Sequence, residues 1–188
     1  MNGNLAYQEE FREEILGGKV NMMSSPSVNH NRVASHIFNA FFNYLRGKPC
    51  EAFSDGTDVF LTDEDRVIPD VMIICNKDII EKDGIHGAPD LVVEVLSPGT
   101  AKNDKGYKKD LYEKVGVKEY WIVDPSLHSI ESYLLSDGKY ILDGFYGIFP
   151  EGLGITEKER AESKKEIPVS LYSDFTIPLE EIFYNLFE

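Results

Sequence analysis

Long hydrophobic runs are the first thing this sequence lacks. No apolar stretch approaches the roughly 20 residues that a membrane-spanning helix needs. The N-terminus, MNGNLAYQEEFREE, is polar and acidic and carries no hydrophobic signal segment. Together these absences lead to the expectation of a cytoplasmic protein. Cysteine is scarce, with Cys50 and Cys75 the only two in the chain. They could pair, but the expectation is two reduced thiols, one of them a small core residue. There is no CxxC or HExxH, and the four histidines (His30, His36, His86, His128) are scattered, which argues against structural zinc. Positive charge is also short: 19 Lys and Arg stand against 33 Asp and Glu, for a formal net charge of −14. That argues against a general nucleic-acid binder, because phosphate contacts need clustered Lys and Arg. A hydrolytic site that holds divalent cations collects carboxylates, however, and a local basic surface can survive an acidic total.

The chain does have the means to build a core. Of its 188 residues 42% are hydrophobic and 12% aromatic, and the 28% that are charged are spread along its length. This suits one domain over 1–188, with a core at about 11–135 and a C-terminal extension at about 136–188. The most plausible weak point is 150–166.

Residues 11–24 read as two short strands around Gly17-Gly18, a hairpin dipeptide. From about His30 to Leu45 the apolar positions Val33, Ile37, Phe38, Phe41, Phe42 and Leu45 have helical periodicity, and Gly47-Lys48-Pro49 ends it. Residues 51–61 predict a strand, TDEDR a turn, and 68–75 and 91–96 two further strands, the latter apolar on both faces as in a central strand. A helix is expected over 102–115 with Tyr107, Leu111, Tyr112 and Val115 as its apolar stripe and Gly116 as its C-cap. EYWIVDP predicts another core strand, 129–135 and 139–149 a hairpin about Ser136-Asp137-Gly138, and 156–166 a charged loop or short helix. A last strand-like patch and a short docking helix, EEIFYNLF, fall within 168–187. The expected class is α/β (α+β), a mixed sheet flanked by helices.

Three residues stand out chemically. Asp70 interrupts an apolar strand directly after Pro69, and Glu94 sits inside LVVEVL with two apolar neighbours on each side. A carboxylate in such a run is at least partly buried, and burying it alone is costly, so it needs a cation, a hydrogen-bond network or a metal ion. The alternative is that each acid faces solvent on an exposed sheet face. Helical phase puts Lys108 in line with Asp104 and Tyr112 beside the Leu111 side of the stripe, where an ammonium can point at the sheet. The alternative there is a snorkelling surface lysine paired with Asp104 at i−4. Two acids and a lysine suit phosphodiester hydrolysis: Mg2+ prefers one or two carboxylates plus water and phosphate, and a lysine stabilises developing charge or orients the nucleophile.

The succession IPDVMII, PDLVVEVLSPGT, Asp104-x3-Lys108-x3-Tyr112 and GVKEYWIVDP resembles a bacterial restriction-endonuclease family of the PD-(D/E)XK superfamily, from about Glu14 in EILGGKV, through His30 in SPSVNH, to about Tyr133. The resemblance implies a restriction endonuclease-like fold with an N-terminal hairpin and extra C-terminal strands. It implies Asp70, Glu94 and Lys108 as catalytic residues, Asp70 and Glu94 as ligands for Mg2+ or Mn2+, and DNA as substrate. Glu14 matches an acidic position in the hairpin and is a further candidate ligand. One departure is plain: Leu96 stands two residues after Glu94, where the superfamily's lysine belongs, and Lys108 of the following helix takes that place.

His30 is expected in a capping or structural role. Asp90 could be a third ligand but reads as a turn residue, as does Asp124 before Pro125. Tyr120 and Trp121 are expected in the core, and Ser97-Pro98-Gly99-Thr100 as a turn near the site. A homodimer is expected, since cleaving both strands of a duplex takes two sites. The competing functions are a nuclease-fold binding or assembly protein without turnover, and an enzyme acting on RNA or another phosphoester.

Overall fold

The structure is a computed structural model and describes residues 12–23, 25–149 and 154–187. The outermost residues of the expected hairpin, Phe11 and Ser24, lie outside them. Its strands, β1 (Glu13–Leu16) and β2 (Lys19–Met22), pair antiparallel. Gly17 and Gly18 turn between them at φ 57° and 72°, where a side chain would be strained. Ser27 then caps α1 (Val28–Leu45) by accepting a hydrogen bond from the His30 amide. One face of α1, Val33, Ile37, Phe41 and Leu45, is buried.

The expected 51–61 strand is two: β3 (Glu51–Ser54) and β4 (Val59–Thr62), which belong to different sheets. The expected TDEDR turn is shorter than that, because Asp65 and Arg66 enter β5 (Asp65–Val67), which folds back on β4. Ion pairs of Arg66 with Asp58 and Glu13 neutralise a charge in what is otherwise strand. Next come β6 (Val71–Ile74), the short β7 (Ile85–His86) and β8 (Leu91–Val95). The helix expected over 102–115 breaks into α2 (Ala101–Lys105) and α3 (Tyr107–Val115) at Gly106, where an added Cβ would lie 2.9 Å from the Lys102 carbonyl oxygen. Gly116 closes α3 in the left-handed conformation, φ 91°. After it run β9 (Glu119–Asp124) and the hairpin of β10 (Ser129–Ser136) and β11 (Lys139–Gly147). The described chain closes with α4 (Glu157–Glu162), β12 (Glu166–Pro168), β13 (Thr176–Pro178) and α5 (Leu179–Ile182).

The central sheet has six strands in the order β11-β10-β9-β8-β6-β3, mixed because β8 and β9 are parallel. A parallel pair needs a crossover, which α2 and α3 supply. A second sheet, β2-β1-β5-β4-β7, lies on one side of it. Residue parity divides the central sheet. Val71, Ile73, Leu91, Val93, Trp121 and Val123 pack against α1 and α5. Met72, Ile74, Val92, Tyr120 and Ile122 pack against Leu111 and Tyr112 of α3 and Leu16, Val59 and Val67 of the second sheet.

The cysteines depart from expectation: Cys50 and Cys75 form a disulfide. The pairing of Glu51 with Ile74 places the two residues opposite one another across β3 and β6, with Cα atoms 4.0 Å apart. Nothing in the local sequence around either cysteine announces that cross-strand register. Among the described residues no helix is long and apolar enough to cross a membrane.

Candidate active site

The site grows out of one register. β6 and β8 pair with Val71 opposite Val93 and Met72 opposite Val92. Asp70 immediately precedes β6 and Glu94 follows Val93 in β8, so extending the register by one step brings the two acids to the same end of the pair, both with the parity of the face that meets α3. Both acids are buried, so the solvent-facing alternative falls. Asp70 Oδ2 accepts a hydrogen bond from the Val95 amide at 2.7 Å, and His30 Nε2 lies 3.2 Å from the same oxygen. His30 sits in the first turn of α1, and the cap is Ser27 rather than His30 itself.

Lys108 closes the site from α3. It is 2% exposed, which rules out a snorkelling surface lysine. Its ammonium donates to Glu14 Oε1 at 2.7 Å and Glu94 Oε1 at 3.1 Å, with Asp104 Oδ1 further off at 3.6 Å. Glu14 reaches it from β1 of the second sheet, and the same oxygen also accepts the Ile68 amide at 2.9 Å. The Tyr112 hydroxyl, one turn beyond Lys108, donates to Glu94 Oε1 at 2.7 Å. Four residues that the sequence singled out therefore converge, and Asp104, Tyr112 and His30 join them.

The electrostatics are unbalanced. Four buried carboxylates, Glu14, Asp70, Glu94 and Asp104, share the site with one buried ammonium and the buried His30 imidazole. Burial pushes the Glu94 carboxyl well above the usual range; Lys108 opposes this, while Asp104, Asp70 and Glu14 add to it. Burial likewise raises Asp104, against Lys108 and a Thr100 hydrogen bond. For Lys108, burial favours the neutral amine, but Glu94, Glu14 and Asp104 outweigh it and hold the charge more firmly than usual. Burial of His30 is similarly outweighed by Asp70, so its protonated form is favoured.

The donor set suits a hard divalent cation. The hydrogen bonds given to Glu14, Asp70 and Glu94 fall on one oxygen of each, leaving the other without a donor among the described residues. Asp104 Oδ1 is buried and accepts no hydrogen bond at all. Carboxylate oxygens of this kind are what Mg2+ and Mn2+ prefer. Glu14, Asp70 and Glu94 do not themselves draw together into a tight trio. Among the described residues the one set of three whose ligand atoms lie within 4.8 Å of one another is Glu81, Asp83 and His86, near the surface around β7.

Other candidates resolve as structural. Asp90 Oδ2 accepts the Cys75 amide at 2.6 Å and Oδ1 pairs with Lys118 at 2.6 Å. Asp124 Oδ1 accepts the Ser126 and Leu127 amides in a turn. Tyr120 and Trp121 are fully buried. Glu119, another buried acid in a strand, went unremarked in the sequence although its context resembles that of Glu94. It binds Trp121 Nε1, the Ser170 amide and the Ser170 hydroxyl. Asp104 was visible as the residue four before Lys108 and the first of the Asp104-x3-Lys108-x3-Tyr112 motif, but no role was expected of it.

A mixed sheet that brings opposed carboxylates to adjacent strands, a third acid from a flanking hairpin and a lysine from the next helix defines a restriction endonuclease-like fold of the PD-(D/E)XK class. The match that places the chain within this class covers residues 4–160. It is to Uma2, described as "Putative restriction endonuclease", and the chain belongs to that family. Two proteins of Synechocystis sp., both termed uncharacterized, are similar in sequence. The protein slr1290 is 29% identical over 137 residues, covering 71% of this chain and 72% of its own. The protein sll1609 is 26% identical over 152 residues, covering 74% of this chain and 82% of its own. Among solved structures, a nuclease of DUF820 from Anabaena variabilis, termed putative, superposes with a TM-score of 0.64 at 17% identity, covering 91% of this chain and 89% of that one. That likeness concerns the fold.

Proposed function

We propose that this protein is a metal-dependent endonuclease that hydrolyses phosphodiester bonds in DNA, with Asp70, Glu94 and Lys108 as its catalytic residues. Asp70 and Glu94 would hold Mg2+ or Mn2+, with Glu14 completing the set. The cation would lower the pKa of bound water and screen the phosphate. The Lys108 ammonium supplies a positive charge against the charge that develops on the phosphate during attack. In the cation-free site Glu14 and Glu94 keep that ammonium protonated and aimed inward, and Tyr112 anchors Glu94 in turn. Asp70 is oriented by the Val95 amide and by His30.

The observation that carries this reading is the surplus of buried carboxylate over buried cation. Four buried acids face one ammonium and the His30 imidazole, so acid still outnumbers cation; buried charge without a partner is costly, and a divalent ion is the partner that their hard oxygens select. The net charge of −14 favours a second reading, a nuclease fold that binds a partner without turnover.

The test is incubation of the full chain with plasmid DNA, single-stranded DNA and RNA in the presence of Mg2+ or Mn2+, alongside Glu94→Ala. Cleavage of DNA that requires the divalent ion and is lost in the variant is the expected result. Activity that survives Glu94→Ala overturns the site, and divalent binding without cleavage of any substrate favours the second reading. A homodimer accompanies the proposal, because two sites cut two strands, and light scattering of the purified chain measures it.

A further inference from the structure

The ammonium of Lys108 has three donors and uses two, on Glu14 and Glu94. The third has no close acceptor. Asp104 Oδ1, 3.6 Å away, is an acceptor without a donor. Both side chains are buried, Asp104 at 1% exposed and Lys108 at 2%, away from bulk solvent. An unmet acceptor in such a place is costly. The two unmet groups face each other across a gap only slightly wider than a hydrogen bond.

The positions of the other partners explain why the gap is open. Lys108 now stands between Glu14 and Glu94, two of the carboxylates that would hold a divalent ion, and it serves as their counter-charge. A divalent ion on those carboxylates would repel the ammonium and withdraw both of its acceptors. A lysine carries its charge on a flexible stem, and Asp104 is the remaining carboxylate within reach. The break at Gly106 sets Asp104 and Lys108 on two helices instead of one, so their separation is decided by the joint as well as by helical spacing.

Building on the proposed function, we infer that Asp104 is a positioning residue for Lys108: it receives the ammonium when a divalent cation takes Glu14 and Glu94, so that the lysine acts as a resident cation in the empty site and as a catalytic charge in the loaded one. Lys108 and the divalent ion then compete for Glu14 and Glu94, and Asp104 decides the outcome by giving the lysine somewhere else to go.

The test is Mg2+ and Mn2+ affinity by calorimetry for the native protein, Asp104→Asn, Lys108→Met and the double variant, with a heat melt of each to confirm folding. Asp104→Asn should weaken binding about 10-fold or more, as loss of a supporting partner commonly does. Lys108→Met should tighten it, because the resident cation is gone. In the Lys108→Met background, Asp104→Asn should have no effect. If Asp104→Asn weakens binding equally with and without Lys108, Asp104 is itself a ligand and the positioning role is overturned; unchanged affinity in the single variant overturns it too. In the native protein, the side-chain nitrogen NMR signal of Lys108 should shift on adding Mg2+. A signal that stays in place while Mg2+ binds overturns the inference without any substitution. Should the native protein bind neither ion, the proposed function falls first and this inference with it.

Discussion

Two buried glutamates sit on neighbouring strands of the central sheet, and their surroundings differ. Glu119 begins β9, opposite Leu91 of β8, while Glu94 lies three residues further along β8. Glu119 has donors on both oxygens: Trp121 Nε1 on one at 2.7 Å, and the Ser170 amide and hydroxyl on the other at 2.9 and 2.6 Å. All are neutral and all belong to the fold. Glu94 has its donors, Lys108 and Tyr112, on one oxygen, and three further acids nearby. Both carboxyls are raised by burial, so burial alone does not tell them apart. A saturated acid ties the chain to itself; an acid with an idle oxygen and a surplus of negative neighbours is ready for something from outside.

The sharpest way to break this contrast is Glu94→Gln, which keeps the shape and removes the charge. DNA cleavage should fall about 10²–10³-fold or more, the scale of losing an electrostatic stabiliser of the transition state. The heat melt should be unchanged or higher, since a costly buried charge is gone. A protein that keeps its activity, or that melts much earlier, would place Glu94 with Glu119. Glu119→Ala should do the reverse. Leaving Trp121 Nε1 and the Ser170 amide without an acceptor should cost about 3 kcal/mol in denaturant unfolding, with cleavage per folded molecule unchanged.

The pH dependence of stability should separate the two acids further. The Glu94 carboxyl has an ordinary value of 4.5 and is raised on folding. Above that pH the folded state therefore holds more protons than the unfolded chain, and stability falls as pH rises through the raised value. Asp104, His30 and Glu119 are also raised and act in the same direction. The lowered acids Asp65 and Glu131 lose their contribution only on acidification and do not oppose the trend in this window, whereas His128, lowered by burial from 6.5, opposes it near that pH. Melts of the cation-free protein from pH 5 upward should show the decline, Glu94→Gln should reduce it, and saturating Mg2+ should offset it. Stability that climbs across that range would contradict the charge surplus. The smallest effect is expected for Tyr112→Phe, which removes one hydrogen bond to Glu94 and should cost about 1 kcal/mol and leave cleavage measurable.

Much of the fold could be read before the chain was seen folded. Gly17-Gly18, Ser136-Asp137-Gly138 and Gly116 mark turns and a cap because each supplies a local conformation the neighbours cannot adopt. The 28–45 helix declares itself by period, and the 91–95 and 119–124 strands by short apolar runs that suit central strands. The misses occur where local pattern is weak or misleading. Residues 51–61 divide between two sheets, Gly106 breaks a helix whose apolar stripe, Tyr107 to Val115, lies wholly after it, and Asp65 and Arg66 enter a strand because Asp58 and Glu13 come to meet Arg66.

The sequence by itself determined that Glu94 sits in an apolar strand, that Asp70 stands at the start of another and that Lys108 lies beside the apolar stripe of a helix, because strand parity and helical phase are properties of a few consecutive residues. Only the tertiary structure decided that β6 pairs with β8 so as to oppose the two acids, and that the second sheet delivers Glu14 to the same ammonium. It also decided that Asp104 waits beside that ammonium with an unused oxygen, and that Cys50 and Cys75 meet. Each of these depends on the register between segments far apart in the chain, which long-range packing selects and no local pattern encodes.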